Sequence, residues 1–586
     1  MSTPPTKRGL LATRFHQFVG KKAGLPPEKS QCTVSEVRIP VTDGDETFEL
    51  VGDLYQPVFA DRSEKSCGTI LVHSPYGRGV EMAVQYAYVY AARGYHVLFV
   101  SCRGTFGSGG IWQPFRTEAH DGQVIVRWMR KQTWYTGSFA TIGGSFLAYT
   151  QLALLSDPPE DMVAAVMEVS PHDVADFAWG TGAMQKDLVV WSEGVKNQHQ
   201  PSAFDVLGPL HRMWGLLGAH GRLQPVFDSV PFLDAVKKHF GPRAPWVEDW
   251  ITHNDPSDPY YEPMRHSRAL DEAKIPILLT AGWHDVFGAQ TLEQYRRLRA
   301  HNDNVRLVVG PWSHMQVEGT IIDTFSWVET HLAKRPIITP QQKQWETAAA
   351  RIFITGLNEW RLLPLWPPAD TKPTPFFLHP DHTLSPTPAS PASQAAAPTP
   401  AFTFSPASPT PTIGGAFLGI GAGIRDDSAL ATRTDVLSFT AAPFASPLPI
   451  SGTPCVILSH ETDSPHADVF VRISEVDAKG RSRNVTEGFT RLDPKRGWKQ
   501  GEAREVVMVL RACAHVFRVG TRMRVYVAGG SSRVWLRNTG TEGGVEAREL
   551  KAVRHWVHVG AGEGTGKGDG GEGGSRVVVG VGEFGG

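Results

Sequence analysis

Six apolar runs punctuate the first half of the chain, at residues 69–72, 96–100, 140–143, 163–167, 275–279 and 305–309. Runs without polar alternation suit strands buried on both faces, as in a parallel sheet. Most lead into stretches with helical spacing. In 118–131 Val124, Trp128 and Met129 fall on one face, and 290–300 is similar. Strands alternating with helices predict an α/β domain with a mostly parallel sheet. Ahead of it, 36–40 and 48–54 alternate with period two around Asp43-Gly-Asp, which predicts a hairpin.

The alternation stops between Asp173 and Arg268, a segment rich in Trp, His and Leu with helical periodicity. Inserted there, it would cover the strand ends where open α/β sheets bind ligands, so it is read as a helical cap. After residue 340 the pattern changes to short strand candidates at 455–458, 469–473, 506–510 and 523–527, separated by turn signals, which predict an all-β sandwich. The expected organisation is a flexible basic N-terminus (1–33), the α/β domain in two parts (34–172 and 269–340) around the cap (173–268), and the sandwich (341–559). Within the sandwich a Pro/Ser-rich stretch (384–412) should form an extended loop, and 560–586 is a Gly-rich tail expected to be disordered.

A chain of 586 residues is too long for one core, which agrees with several domains. Its formal net charge of −1 supplies no basic field for nucleic acid. No apolar run is long enough to span a bilayer. The five cysteines are scattered, with no CxxC pair, so neither a disulfide framework nor a zinc site is expected. A reducing compartment, the cytoplasm, is the simplest location. The basic first 22 residues also suit a mitochondrial presequence.

Three of the apolar runs end on reactive residues: Gly143-Gly-Ser145, Gly282-Trp-His-Asp285 and Gly310-Pro-Trp-Ser-His314. Serine acyl transfer needs a base to take the hydroxyl proton, a carboxylate to orient that base, and donors for the oxyanion. The order Ser, Asp, His is that of α/β-hydrolases with a nucleophile elbow. Taken singly, Ser145 suits a Gly-rich turn, Asp285 a helix N-cap and His314 a structural histidine. Their joint order and strand context select the triad. The pentapeptide G-x-S-x-G is not met, because Leu147 stands at its last position. No HExxH or clustered ligand spacing supports a metal-dependent hydrolase, so no cofactor or metal is expected.

These motifs resemble the CocE/NonD hydrolases, the cocaine esterase and X-Pro dipeptidyl-peptidase group. That family carries G-x-S-Y-x-G, G-W-x-D and G-P-W-x-H. Arg103-Gly-Thr-Phe-Gly-Ser-Gly-Gly110, Pro411-Thr-Ile-Gly-Gly415 and 514–520 are similar to further family segments, so the resemblance spans roughly 34–542. It implies an α/β-hydrolase domain, a helical cap and a jelly-roll-like β domain with the site between them. It also implies Ser145 as nucleophile, His314 as general base and Asp285 as its orienting carboxylate. The oxyanion donors would be the Tyr76 hydroxyl and the Phe146 N–H. Phe287 should face the acyl pocket, with Trp179 and Trp191 of the cap as further lining. Phe146 replaces the family Tyr, Ala148 a Gly, and Cys102 stands near a usual Asp.

Expected partners are therefore a small-molecule ester or peptide substrate, with a homo-oligomer compatible. Carboxyl esters are favoured over X-Pro peptides or α-amino esters, because no amine site is marked: Asp173, Asp187 and Glu193 are read as solvated surface. The rival from another class is a non-catalytic binding protein on a hydrolase scaffold.

Overall fold

The computed structural model describes residues 6–7, 9–61, 63–197, 218–335, 339–390, 398–559 and 574–584. An eleven-stranded sheet runs in the order β1-β2-β3-β5-β4-β6-β7-β8-β9-β10-β11. Its strands are β1 (Thr6–Lys7), β2 (Gln31–Asp43), β3 (Glu46–Val58), β4 (Thr69–Ser74), β5 (His96–Ser101), β6 (Phe139–Gly144), β7 (Met162–Glu168), β8 (Ile277–His284), β9 (Val305–Ser313), β10 (Ala350–Ile354) and β11 (Glu359–Leu363). From β5 to β10 neighbours are parallel, whereas β1–β3 and β11 flank them antiparallel. Every residue of β4 and β8 is buried, as continuous apolar runs require when helices cover both faces. The helix Phe146–Leu155 after β6 is buried on all sides, with all ten residues in the core.

The insertion is helical as expected, with helices Val174–Trp179, Asp187–Val195, Ala219–Asp228, Phe232–Phe240 and Pro245–Thr252 among its described residues. Phe232, Leu233, Val236 and Phe240 mark the buried stripe of one of them. Its residues 198–217 lie outside the described ones. Past β11 the chain forms a sheet system with its own apolar core, including Phe439, Val469, Ile473, Val525 and Val577.

Four segments differ from the sequence expectation. The α/β sheet does not end at 340: β10 pairs with β9 through Ala350, Arg351 and Ile352, and β11 closes the edge, so the sandwich starts only afterwards. The N-terminus is not all flexible, because Leu10–Lys22 is a helix. It packs through Thr13, His16 and the small Gly20, beside Arg93, while Phe15 and Phe18 point outward, so its apolar pattern gives little sign of it. Lys21 and Lys22 suit its C-terminal dipole. Part of the Pro/Ser-rich stretch is strand, since Ala401–Phe404 pairs with Val553–His558 through backbone bonds that make no demand on charge; 391–397 lie outside the described residues. The end of the Gly-rich tail is likewise ordered. Arg576–Val581 pairs with Lys372–Leu378 and Cys455–Thr462, burying Val577 and Val579, whereas 560–573 are not described. Among the described residues no helix is long and apolar enough to cross a membrane.

Inside the sandwich His460 and His555 are fully buried, with Nε2 of the former 3.0 Å from Nδ1 of the latter. Burial pushes the His460 imidazole down to about 3 and His555 well below its usual value. Both are neutral in the folded state, yet unfolded they take up protons below about pH 6.5. The unfolded chain then binds more protons, so stability is held at neutral pH and lost as pH falls. Each should cost on the order of 2 kcal/mol at pH 5. His460→Gln should therefore flatten the fall of Tm between pH 7 and 5, measured by calorimetry. An unchanged slope would contradict a buried neutral pair.

Candidate active site

The parallel strands place three loops at one edge of the sheet. β6 ends at Gly144, and Ser145 turns the chain into the following helix with φ 58° and ψ −123°. A non-glycine residue at positive φ is strained. Ser145 N–H donates to Glu168 O at 2.8 Å, which ties the turn to β7. Gly143 has φ 151°, and a Cβ there would stand 2.4 Å from Leu147 Cβ. At Gly144 the nearest contact would be an ordinary 3.4 Å, to Glu168 Cβ.

Asp285 follows β8 and His314 follows β9. Trp312 explains both motif glycines: a Cβ on Gly282 would lie 2.3 Å from Trp312 O, and one on Gly310 2.3 Å from its ring. His314 Nδ1 stands 2.6 Å from Asp285 Oδ1, and its Nε2 2.9 Å from Ser145 Oγ. Asp285 is fully buried, and Arg511 of the sandwich donates to its backbone carbonyl at 3.1 Å. The carboxylate, imidazole and hydroxyl thus form a hydrogen-bonded chain from the interior to the cavity.

Tyr76 enters from the turn after β4, its N–H bonded to Ser74 Oγ at 3.1 Å. Its hydroxyl accepts from Trp191 Nε1 at 3.0 Å. Burial pushes this phenol up to about 12, an effect moderated by its bonds to Trp191 and Ser145, so it stays a proton donor at neutral pH. The Phe146 N–H is the first of its helix and has no intrahelical acceptor. The Phe146 ring lies parallel to Trp191, with centroids 5.9 Å apart. Phe287 sets its ring edge-on to His314 at 5.3 Å and against Phe177 at 4.5 Å.

Two spaces meet at Ser145 and His314. One is a narrow cavity of only about 20 Å³, walled by Phe115, Phe146, Phe177, Trp191, Phe287 and Leu418 among others. The second is an open cleft of about 470 Å³ bordered by Glu81, Met82, Tyr86, Val195 and Met315.

Comparison with known proteins points to hydrolases. The family profile of the X-Pro dipeptidyl-peptidases (S15 family) matches residues 43–316, and that of the X-Pro dipeptidyl-peptidase C-terminal non-catalytic domain matches 337–564. The cocaine esterase of Rhodococcus sp. (strain MB1 Bresler) is 25% identical over 558 residues, covering 88% of this chain and 93% of its own. The chain belongs to the CocE/NonD hydrolases. It is a serine hydrolase of that family. The fold is shared with an aminopeptidase from a marine sediment Thaumarchaeota archaeon (TM-score 0.75, 19% identity, 94% of this chain and 96% of that one). It is shared too with a selenomethionine-labelled α-amino acid ester hydrolase (TM-score 0.74, 18% identity, 94% and 97%).

Among the departures from the family pattern, Ala148 is fully buried without disturbing the elbow, its N–H reaching Ser145 O at 2.9 Å. Cys102 is a buried core residue whose thiol burial pushes well up, which disfavours the reactive thiolate.

Some expected site residues are brought together and others are not. Ser145, Asp285, His314, Tyr76, Phe146, Phe287 and Trp191 converge. Trp179 does not line the cavity; it is buried in the cap, and its indole donates to Trp250 O at 2.9 Å. The three cap carboxylates are not solvated surface. Asp173 caps the helix Val174–Trp179, and Glu193 is buried among Lys196, Arg222 and His239. Asp187 is fully buried at the cavity, its oxygens accepting from Leu418 N–H at 2.8 Å and Gln185 at 3.2 Å, and burial pushes it up to about 6. Leu418, Phe177 and Phe115 were not singled out by sequence. The only hint of Leu418 was the nearby glycine pair Gly414-Gly415.

The elbow geometry separates its two glycines. Gly143→Ala should cost roughly 1–3 kcal/mol and slow labelling of Ser145 by a fluorophosphonate, because backbone or Leu147 must shift. Gly144→Ala should leave both nearly unchanged. Denaturant titration and labelling rates on the two variants check this, and equal behaviour would contradict it.

Proposed function

We propose that this protein is a serine carboxylesterase acting through an acyl-enzyme on Ser145. The observation that carries the reading is the continuous chain from Asp285 Oδ1 through His314 to Ser145 Oγ, with links of 2.6 and 2.9 Å. His314 Nε2 takes the hydroxyl proton as Ser145 Oγ attacks the ester carbonyl. Asp285 holds the ring orientation and stabilises the imidazolium. The tetrahedral oxyanion accepts from the Tyr76 hydroxyl and the Phe146 N–H, donors positioned before the reaction. The C–O bond to the leaving alcohol breaks, and His314 returns the proton to it. Water then loses a proton to His314, attacks the acyl-enzyme, and releases the acid with Ser145 restored.

The narrow aromatic cavity would hold the acyl group, and the open cleft the leaving alcohol. A space of about 20 Å³ suits a compact, uncharged acyl group without large rearrangement. None of the five cysteines is in a disulfide, which fits a reducing compartment such as the cytoplasm.

A second reading, α-amino-acyl or X-Pro substrates, is favoured by Asp187, the buried carboxylate at the cavity. Both of its oxygens already accept hydrogen bonds, which makes it the weaker reading.

Ser145→Ala should abolish turnover of p-nitrophenyl propionate in a folded protein, and Tyr76→Phe should lower kcat about 10²- to 10³-fold, the effect of losing one oxyanion donor. Retained activity in Ser145→Ala would sink the assignment. Parallel assays should give a higher kcat/KM on p-nitrophenyl propionate than on Ala-Pro-p-nitroanilide. The reverse ranking, with a selective loss of anilide turnover in Asp187→Asn, would transfer the assignment to the amine-binding reading.

A further inference from the structure

A second large space lies apart from Ser145. It is a cleft of about 570 Å³ where the α/β domain, cap and sandwich meet. One residue, Phe177, borders both this cleft and the narrow cavity at Ser145. The two spaces meet at Phe177. Val286 faces the cleft and its neighbour Phe287 the cavity, while Gln185 borders the cleft and donates across to Asp187 in the cavity.

The cleft offers apolar surface. Its walls include Trp366, Phe489, Trp535 and Leu510, and Val507 and Val509 at its border are 59% and 64% exposed. The charged groups around it are largely engaged with one another or with backbone. Glu487 pairs with Arg472, Arg511 donates to the carbonyls of Asp285 and Val286, Arg296 pairs with Glu293, and Asp176 accepts from Gln290. Little polar demand remains, so an apolar chain would be the favoured occupant.

The backbone beneath Phe177 is anchored. Its helix is capped by Asp173, and the Gln290 side chain both accepts from Asp173 N–H at 3.2 Å and donates to Asp173 O at 2.7 Å. The partition between the spaces is therefore the side chain itself, held against Phe287 at a centroid distance of 4.5 Å.

We infer that Phe177 is the residue that limits acyl length, and that the three-domain cleft is a latent subsite for an apolar acyl chain beyond it. This rests on the esterase reading, in which the narrow cavity takes the acyl group. Wild-type enzyme should accept acetyl and propionyl esters and discriminate against octanoyl esters. Phe177→Ala joins the two spaces, so a linear chain can run past Phe287 into the cleft. A methylene in an apolar pocket changes kcat/KM by about tenfold or more, and several are gained here.

The test is the ratio of kcat/KM for p-nitrophenyl octanoate to that for the acetate, in wild type, Phe177→Ala and the milder Phe177→Leu, with octanoate binding measured by calorimetry. The ratio should rise at least about tenfold in Phe177→Ala and less in Phe177→Leu, with octanoate bound more tightly in Phe177→Ala than in wild type. If Phe177→Ala fails to fold, Phe177→Leu carries the comparison. An unchanged ratio in a folded variant, or a wild type that already prefers octanoate, would overturn the inference. A folded wild type that turned over neither ester would instead overturn the esterase reading, and the octanoate titration would still decide whether Phe177 separates the spaces.

Discussion

The active centre depends on one backbone constraint, the positive φ of Ser145 between a buried strand and a buried helix. A left-handed serine costs of order 1–3 kcal/mol, and persists only when its surroundings over-determine it. Here the helix Phe146–Leu155 is buried along its whole length, and the Ser145 N–H is tied to Glu168 O. The same turn projects Oγ toward His314 and starts the helix whose first N–H, that of Phe146, is free to donate. Gly143 is the sequence consequence, because any side chain there meets Leu147.

Around that turn, each part of the molecule supplies something the others lack. The sheet provides the hydroxyl, carboxylate and imidazole at the ends of the parallel strands β6, β8 and β9. The cap supplies Trp191, whose indole orients the Tyr76 hydroxyl. The sandwich supplies Leu418 to the cavity wall and Arg511 to the carbonyls that follow β8. Asp187 fastens cap to sandwich through the Leu418 N–H. Burying such a carboxylate is costly unless donors surround it, so this contact resists rearrangement and keeps the cavity at Ser145 small.

The parallel strands were legible because burial on both faces leaves continuous apolar runs, and the triad because each member ends one of them. The helix Leu10–Lys22 was not, since it packs through Thr13, His16 and Gly20 and exposes Phe15 and Phe18. The strand Arg576–Val581 was hidden by the glycine-rich context before it, although Val577 and Val579 fill the sandwich core. Strands β10 and β11 fell beyond the expected boundary because short strands carry no mark of which sheet they join.

By itself the sequence determined which groups are proposed to carry the chemistry and in what order, because a strand end and a small-residue turn are local properties. Trp312 lies within the motifs too, and its backbone carbonyl requires glycine at Gly282 as its ring does at Gly310. Only the tertiary structure decided what surrounds those groups. Trp179 and Trp191 stand a few turns apart in the cap and look alike in sequence, yet one bonds to Trp250 O and the other to Tyr76. Asp187 reads as a surface acid until Leu418, 231 residues away, closes over it. The pocket is made of such long-range contacts, and no local pattern encodes which side chains will meet.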